Sequence, residues 1–128
     1  MKKTDPRVYR LVLGKVVAAL RKKRGISQQE FAGNIGVSQP TLSRIERGQT
    51  MPDALVHRRI AYALGISSGQ LNTYVDDALE RTTNAAAGAT KGKQGASPLA
   101  LALGIAGFVG LAGLVVFAVA AIIDEIED

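Results

Sequence analysis

Apolar residues Leu13, Val16, Val17 and Leu20 recur at the spacing of one helix face and predict a helix over 8–24, behind a short basic arm at 1–7. Gly25 stops it. Ser27 and Glu30 form a capping box, so a second, short helix starts there and ends at Gly36. Ser38 opens a third helix, with Pro40 accommodated in its first turn, and Gly48 closes it. Asp53 caps a fourth helix that runs to about Leu64 and stops at Gly65. Ser67 or Ser68 caps a fifth, running to about Arg81.

The pattern then changes. Residues 82–97 are small, polar and rich in Gly and Ala, which reads as a flexible linker. Residues 98–123, PLALALGIAGFVGLAGLVVFAVAAII, are apolar throughout, and no charge falls between Lys93 and Asp124. That is longer than the roughly 20 residues a bilayer-spanning helix needs. At about 1.5 Å per residue the segment exceeds a hydrocarbon core of about 30 Å, so some tilt is expected. A domain made of residues 1–81 is too small to enclose a helix apolar on every side. The expected architecture is all-α: a five-helix domain over 1–81, a linker over 82–97, one transmembrane helix over 98–123 and an acidic tail over 124–128.

Charge sharpens this division. Residues 1–81 hold 14 Lys and Arg against 7 Asp and Glu, a net +7, while the tail Asp124, Glu125, Glu127 and Asp128 contributes −4. A basic domain implies a polyanionic partner, nucleic acid or anionic lipid. The chain has no Cys and one histidine, His57, which disfavours a disulfide framework and a transition-metal site. His57 reads as a packing residue. Asp76, Asp77 and Glu80 read as a solvated face of the fifth helix. No acid/base pair and no nucleophile with a base stands out, so neither catalysis nor a cofactor is expected.

Two helices separated by Gly36-Val37-Ser38 need a tight turn, and Gly36 suits the left-handed conformation at its start. Ala32, four residues earlier, is small enough to let the helices approach. Phe31, Ile35, Val37, Leu42 and Ile45 supply apolar contacts. This layout over 28–47 resembles the helix-turn-helix of the lambda repressor/Cro-like (XRE-type) family. The resemblance spans about 11–71 through LRKKRGISQQEFA, GVSQPTLSRIERG and AYALGIS. It implies a lambda-repressor-like domain whose third helix enters the DNA major groove by its N-terminal end. It also implies that Ser38, Gln39, Ser43 and Arg44 read bases, Gln39 through adenine and Arg44 through guanine. Gln28, at the start of the second helix, would hold a phosphate through its side chain and the helix N-terminus. Pro40, Thr41 and Arg47 complete the expected DNA-binding set, Pro40 offering only apolar contact. Arg21 and Glu46 match a pair that forms a structural ion bridge in the family.

Ala54 and His57 fall where the family often has large aliphatic residues, and Leu55 and Val56 where it is often polar. Either the fourth helix is rotated or Leu55 and Val56 offer an apolar patch to a protein partner. Lys22, Lys23 and Arg24 suit a solvated helix end or phosphate contact alike. Basic residues precede the span and only acids follow it, so the N-terminus is expected in the cytoplasm and the protein in the cell membrane as a single-pass chain. Ala102, Ala106, Gly110 and Gly113 line one face of the span and suit close helix–helix packing. The expectation is a membrane-anchored, sequence-specific DNA-binding homodimer, a transcriptional regulator or DNA–membrane tether. Its partners would be double-stranded DNA and the lipid bilayer. The alternative is a membrane-anchored adaptor that binds a protein, in an order similar to the bacterial shape protein RodZ.

Overall fold

The computed structural model describes residues 5–89, 115–116 and 118–124, with side chains left out of the description over 83–89. Over residues 6–89 five helices follow one another: α1 (Pro6–Lys23), α2 (Gln28–Ile35), α3 (Gln39–Glu46), α4 (Ala54–Ala63) and α5 (Ser68–Ala89). Among the described residues there is no strand.

α1 is the central element. It packs against α3 and α5, while α2 packs on α3 and α4, and α4 on α5. Val8, Leu11, Val12, Leu13, Val16, Val17 and Leu20 are all buried, so α1 is covered on more than the single stripe of a surface helix. Phe31, Ile35, Leu42, Ile60, Leu64 and Leu71 close the core around it. Each such side chain contributes about 1.5–3 kcal/mol through removal from water.

Local chemistry places the helix ends. Ser27 Oγ accepts from the Glu30 N–H at 3.0 Å, Asp53 Oδ1 from the Val56 N–H at 2.8 Å, and Ser67 Oγ from the Gln70 N–H at 3.0 Å. Ser67, rather than Ser68, is therefore the cap of α5. α1 starts earlier than its periodicity predicts. Asp5 Oδ1 accepts from the Arg7 N–H at 2.8 Å and Pro6 opens the helix, so part of the expected basic arm is helical.

Two glycines bring α1 and α3 together. A Cβ on Gly14 would press on the Ile45 carbonyl oxygen and lie 2.6 Å from that of Glu46. Gly48 has φ +74° and a Cβ there would lie 2.7 Å from Leu11 Cα. The end of α3 thus rests directly on the α1 backbone.

α5 runs past the expected domain boundary at Arg81. α5 continues to Ala89, so the first part of the expected linker is helical, and a cut after residue 81 would sever a helix. Thr82 is buried at 3 % exposure and donates its hydroxyl to the Ala78 carbonyl at 2.7 Å. Most of the expected span, 98–114 and 117, lies outside the described residues, as do the small residues Ala102, Ala106, Gly110 and Gly113. Its described part is helical at 115–116 and 118–124, and Val115, Val119, Ile122 and Ile123 are buried in the same core cluster as α1 and α5. No helix among the described residues is long and apolar enough to cross a membrane.

Candidate nucleic-acid interface

The turn between α2 and α3 forms as its residues dictate. Gly36 ends α2 with φ +74°, and the Val37 N–H donates to the Ala32 carbonyl at 3.0 Å. Ala32 is buried at this crossing. Ser38 caps α3: its Oγ accepts from the Thr41 N–H at 3.2 Å and shares a 2.8 Å hydrogen bond with Thr41 Oγ1. Ser38 and Thr41 therefore hold the start of α3 in shape. Leu42 and Ile45 face the core, which leaves Gln39, Pro40, Arg44 and Arg47 exposed and Ser43 half-buried on the outer side. Of the eight expected DNA contacts, Gln39, Pro40, Ser43, Arg44 and Arg47 lie on the outer side of α3, Ser38 and Thr41 form its cap, and Gln28 lies behind it, bonded to Gln39.

Gln28, expected at a phosphate, also has side-chain partners within the protein. Its Nε2 donates to Glu46 Oε1 at 3.0 Å, and its Oε1 accepts from Gln39 Nε2 at 2.9 Å. Glu46 in turn accepts from Arg21 at 2.7 and 3.1 Å, and Arg21 also donates to the Ile26 carbonyl at 2.8 Å. The chain Arg21–Glu46–Gln28–Gln39 runs from a buried ion pair to the exposed head of α3. The Gln28 side chain thus braces the Gln39 side chain from behind. Gln39 keeps one amide N–H and its Oε1 for a base, the donor and acceptor that adenine requires.

The remaining cations divide by partner. Arg24, expected as a solvated end or a phosphate contact, donates Nε to the Leu64 carbonyl at 2.8 Å and ties α1 to the end of α4. Lys22 and Lys23 are exposed. Arg10 and Lys15 of α1 lie near Gly48 and Gln49, a grouping that no local motif announces.

On α4, Val56 packs half-buried against the core and does not belong to a surface patch. Leu55 is 56 % exposed and Tyr62 86 % exposed, and with Arg58, Arg59 and Asn34 they line a cavity of about 290 Å³. The large outward apolar residues of this helix are therefore Leu55 and Tyr62. His57 is half-buried with its Nε2 buried and unbonded among the described residues. Asp76, Asp77 and Glu80 are exposed, as their pattern predicts. No group of His, Asp or Glu among the described residues could hold a metal ion.

The profile of the family described as helix-turn-helix matches residues 17–71. The chain is 37% identical over 68 residues to the uncharacterized HTH-type transcriptional regulator y4dJ of Sinorhizobium fredii, covering 53% of this chain and 88% of that protein. The chain belongs to the XRE-type helix-turn-helix family. It is also 37% identical over 60 residues to the uncharacterized HTH-type transcriptional regulator YazB of Bacillus subtilis, covering 47% of this chain and 87% of the relative. The crystal structure of the clp gene regulator ClgR from Corynebacterium glutamicum has the same fold. It superposes with a TM-score of 0.57 at 24% identity, over 67% of this chain and 94% of that one.

Proposed function

We propose that this protein binds specific DNA sequences as a homodimer and acts as a transcriptional regulator or DNA tether at the cytoplasmic face of the cell membrane, without enzymatic activity. The observation that carries the DNA reading is the outer face of α3. It presents Gln39, Ser43, Arg44 and Arg47, and Gln39 is braced from behind by Gln28 and Glu46. Two relatives bearing the name of transcriptional regulator support the same reading. Membrane attachment rests on the uncharged segment 98–123 with basic residues before it and acids after it, and it requires Val115, Val119, Ile122 and Ile123 to leave the core cluster they join for the bilayer. A dimer fits the small contact area of one domain, since doubling raises affinity through effective concentration.

The test is selection of duplexes from a random pool by the full-length protein in neutral detergent, followed by a salt titration. Binding should weaken steeply with salt as phosphate contacts release counterions. Arg44→Ala should cost about 1–3 kcal/mol on the best site and relax preference at one base pair. A random pool that yields no enriched sequence sinks the regulator reading. Membrane attachment is tested apart: alkaline extraction should leave the protein with the membrane fraction, and release into the supernatant contradicts the anchor.

One observation favours a second reading. Leu55 and Tyr62 are exposed side by side with two arginines, an apolar and basic face that DNA reading by α3 leaves unused. An adaptor that docks a protein there would survive Arg44→Ala and fail with Tyr62→Ala.

A further inference from the structure

We propose that the groove between the start of α1 and the end of α3 binds a phosphate of the DNA backbone beside the bases read by α3. The inference rests on the DNA reading and deepens it. The groove has a volume of about 370 Å³ and is lined by Arg7, Arg10, Lys15, Arg47, Gly48 and Gln49, together with Leu11. Four of these residues are cations and none is an acid.

Arg7 is neutralised by Asp5, at 2.9 Å. Arg10, Lys15 and Arg47 have no ion pair among the described residues. Arg10 Nε donates to the Gly48 carbonyl at 3.5 Å and Arg47 Nε to the Ser43 carbonyl at 3.3 Å. Both guanidinium groups are thereby held by one nitrogen, and their terminal N–H groups are left for another acceptor. The floor is rigid because Gly48 sits on the α1 backbone, where even a Cβ would collide with Leu11.

A purely structural role accounts for part of this charge. Cations favour the C-terminal end of a helix, and Arg10 answers the carbonyl of Gly48 at the end of α3. Two further cations on the same concave surface exceed that need and repel one another unless an anion lies between them. A DNA phosphate fits better than a lipid headgroup because Arg47 lies one turn beyond Ser43 and Arg44, so the groove continues the exposed face of α3. A helix that enters a groove about 12 Å wide by its N-terminus leaves its other end by the phosphate wall.

The experiment compares the full-length protein with Lys15→Gln in neutral detergent, on its selected duplex and on a duplex of unrelated sequence, across a salt series. Circular dichroism confirms that the variant is folded. Lys15→Gln should weaken both duplexes by the same factor and lower the slope of log affinity against log salt by about 0.9, the value for one lost phosphate contact. Base preference should not change, in contrast to Arg44→Ala. An unchanged salt slope in the folded variant overturns the groove while leaving the DNA reading in place. Failure of the unmodified protein to bind either duplex overturns both. Weaker binding to phosphatidylglycerol vesicles with an unchanged DNA slope assigns the groove to lipid and overturns it as a DNA site.

Discussion

Gly14→Ala tests whether the contact between α1 and α3 controls the fold. Ala exceeds Gly in helix propensity by about 0.8–1.0 kcal/mol, so propensity alone predicts stabilisation. Packing predicts the reverse. The added Cβ would press on the Ile45 carbonyl and lie 2.6 Å from the Glu46 carbonyl oxygen. An ordinary C···O contact is about 3.3–3.6 Å, so the last turn of α3 must retreat by at least roughly 0.7–1.0 Å. The obstructing atoms are backbone, and no side-chain rotation relieves them. Overpacking of a filled site costs about 1–3 kcal/mol, and an unyielding backbone places this case at the upper end. After the propensity gain, a net loss of about 2 kcal/mol is expected.

Gly33→Ala is the matched control. Gly33 lies within α2 and a Cβ there meets nothing within 4 Å, so only the propensity gain applies. Thermal melting of the full-length variants separates the two cases, since 1 kcal/mol shifts Tm by about 4–8 °C for a domain of this size. Gly14→Ala should melt about 10 °C below the unmodified protein and Gly33→Ala a few degrees above it. The displaced end of α3 carries Arg47, so Gly14→Ala should also weaken DNA binding. If Gly14→Ala melts at or above the unmodified protein, the close approach of α1 and α3 is not limiting and the reasoning fails.

Other perturbations probe other links. Glu46→Ala leaves Arg21 buried without its partner and should destabilise the fold by about 3–5 kcal/mol, whereas Arg21→Met with Glu46→Leu should recover most of that loss in a urea melt. His57→Leu removes a buried, unbonded nitrogen and should raise Tm; a clear fall would show that Nε2 has a partner. Burial, then the nearby Asp76 charge, raises the Tyr9 phenol above its ordinary value near 10. Its neutral form is therefore favoured in the fold, and the stability it contributes is present below that value and lost as pH rises through the raised one. Tyr9→Phe should flatten the alkaline loss of stability, and an unchanged alkaline melt would exclude Tyr9 as its cause.

Most helix ends were legible because capping is local chemistry. Ser27, Ser38 and Asp53 each accept from an N–H three residues ahead, and Gly25, Gly36, Gly48 and Gly65 each take a positive φ where a helix stops. Three features were not legible for a shared reason: they depend on what another segment does. The helix at 82–89 has no apolar stripe to announce it. The phase of α4, which turns Val56 inward and Leu55 and Tyr62 outward, is set by its neighbours α2 and α5. The role of Gln28 depends on Gln39 and Glu46, which lie 11 and 18 positions away. Asp5-Pro6 was the exception, a local cap obscured by the basic residues around it.

The polar chain from Arg21 to Gln39 joins stability to reading. A buried ion pair is weak evidence for stability, because taking both charges out of water costs about as much as their attraction returns. Here the pair has a further consequence. Glu46 holds Gln28 by one oxygen while Arg21 occupies both, and Gln28 holds Gln39. On the proposed DNA reading, Gln39 would therefore meet DNA with one rotamer already selected, and the entropy of ordering it would be lost on folding rather than on binding. It follows that apolar replacement of Arg21 and Glu46 together should separate the two roles. The fold would survive, while discrimination at the base read by Gln39 would fall toward that of an unbraced glutamine. Gln28→Ala should lose the same discrimination with the core ion pair intact, so the two variants should share one specificity defect and differ in stability.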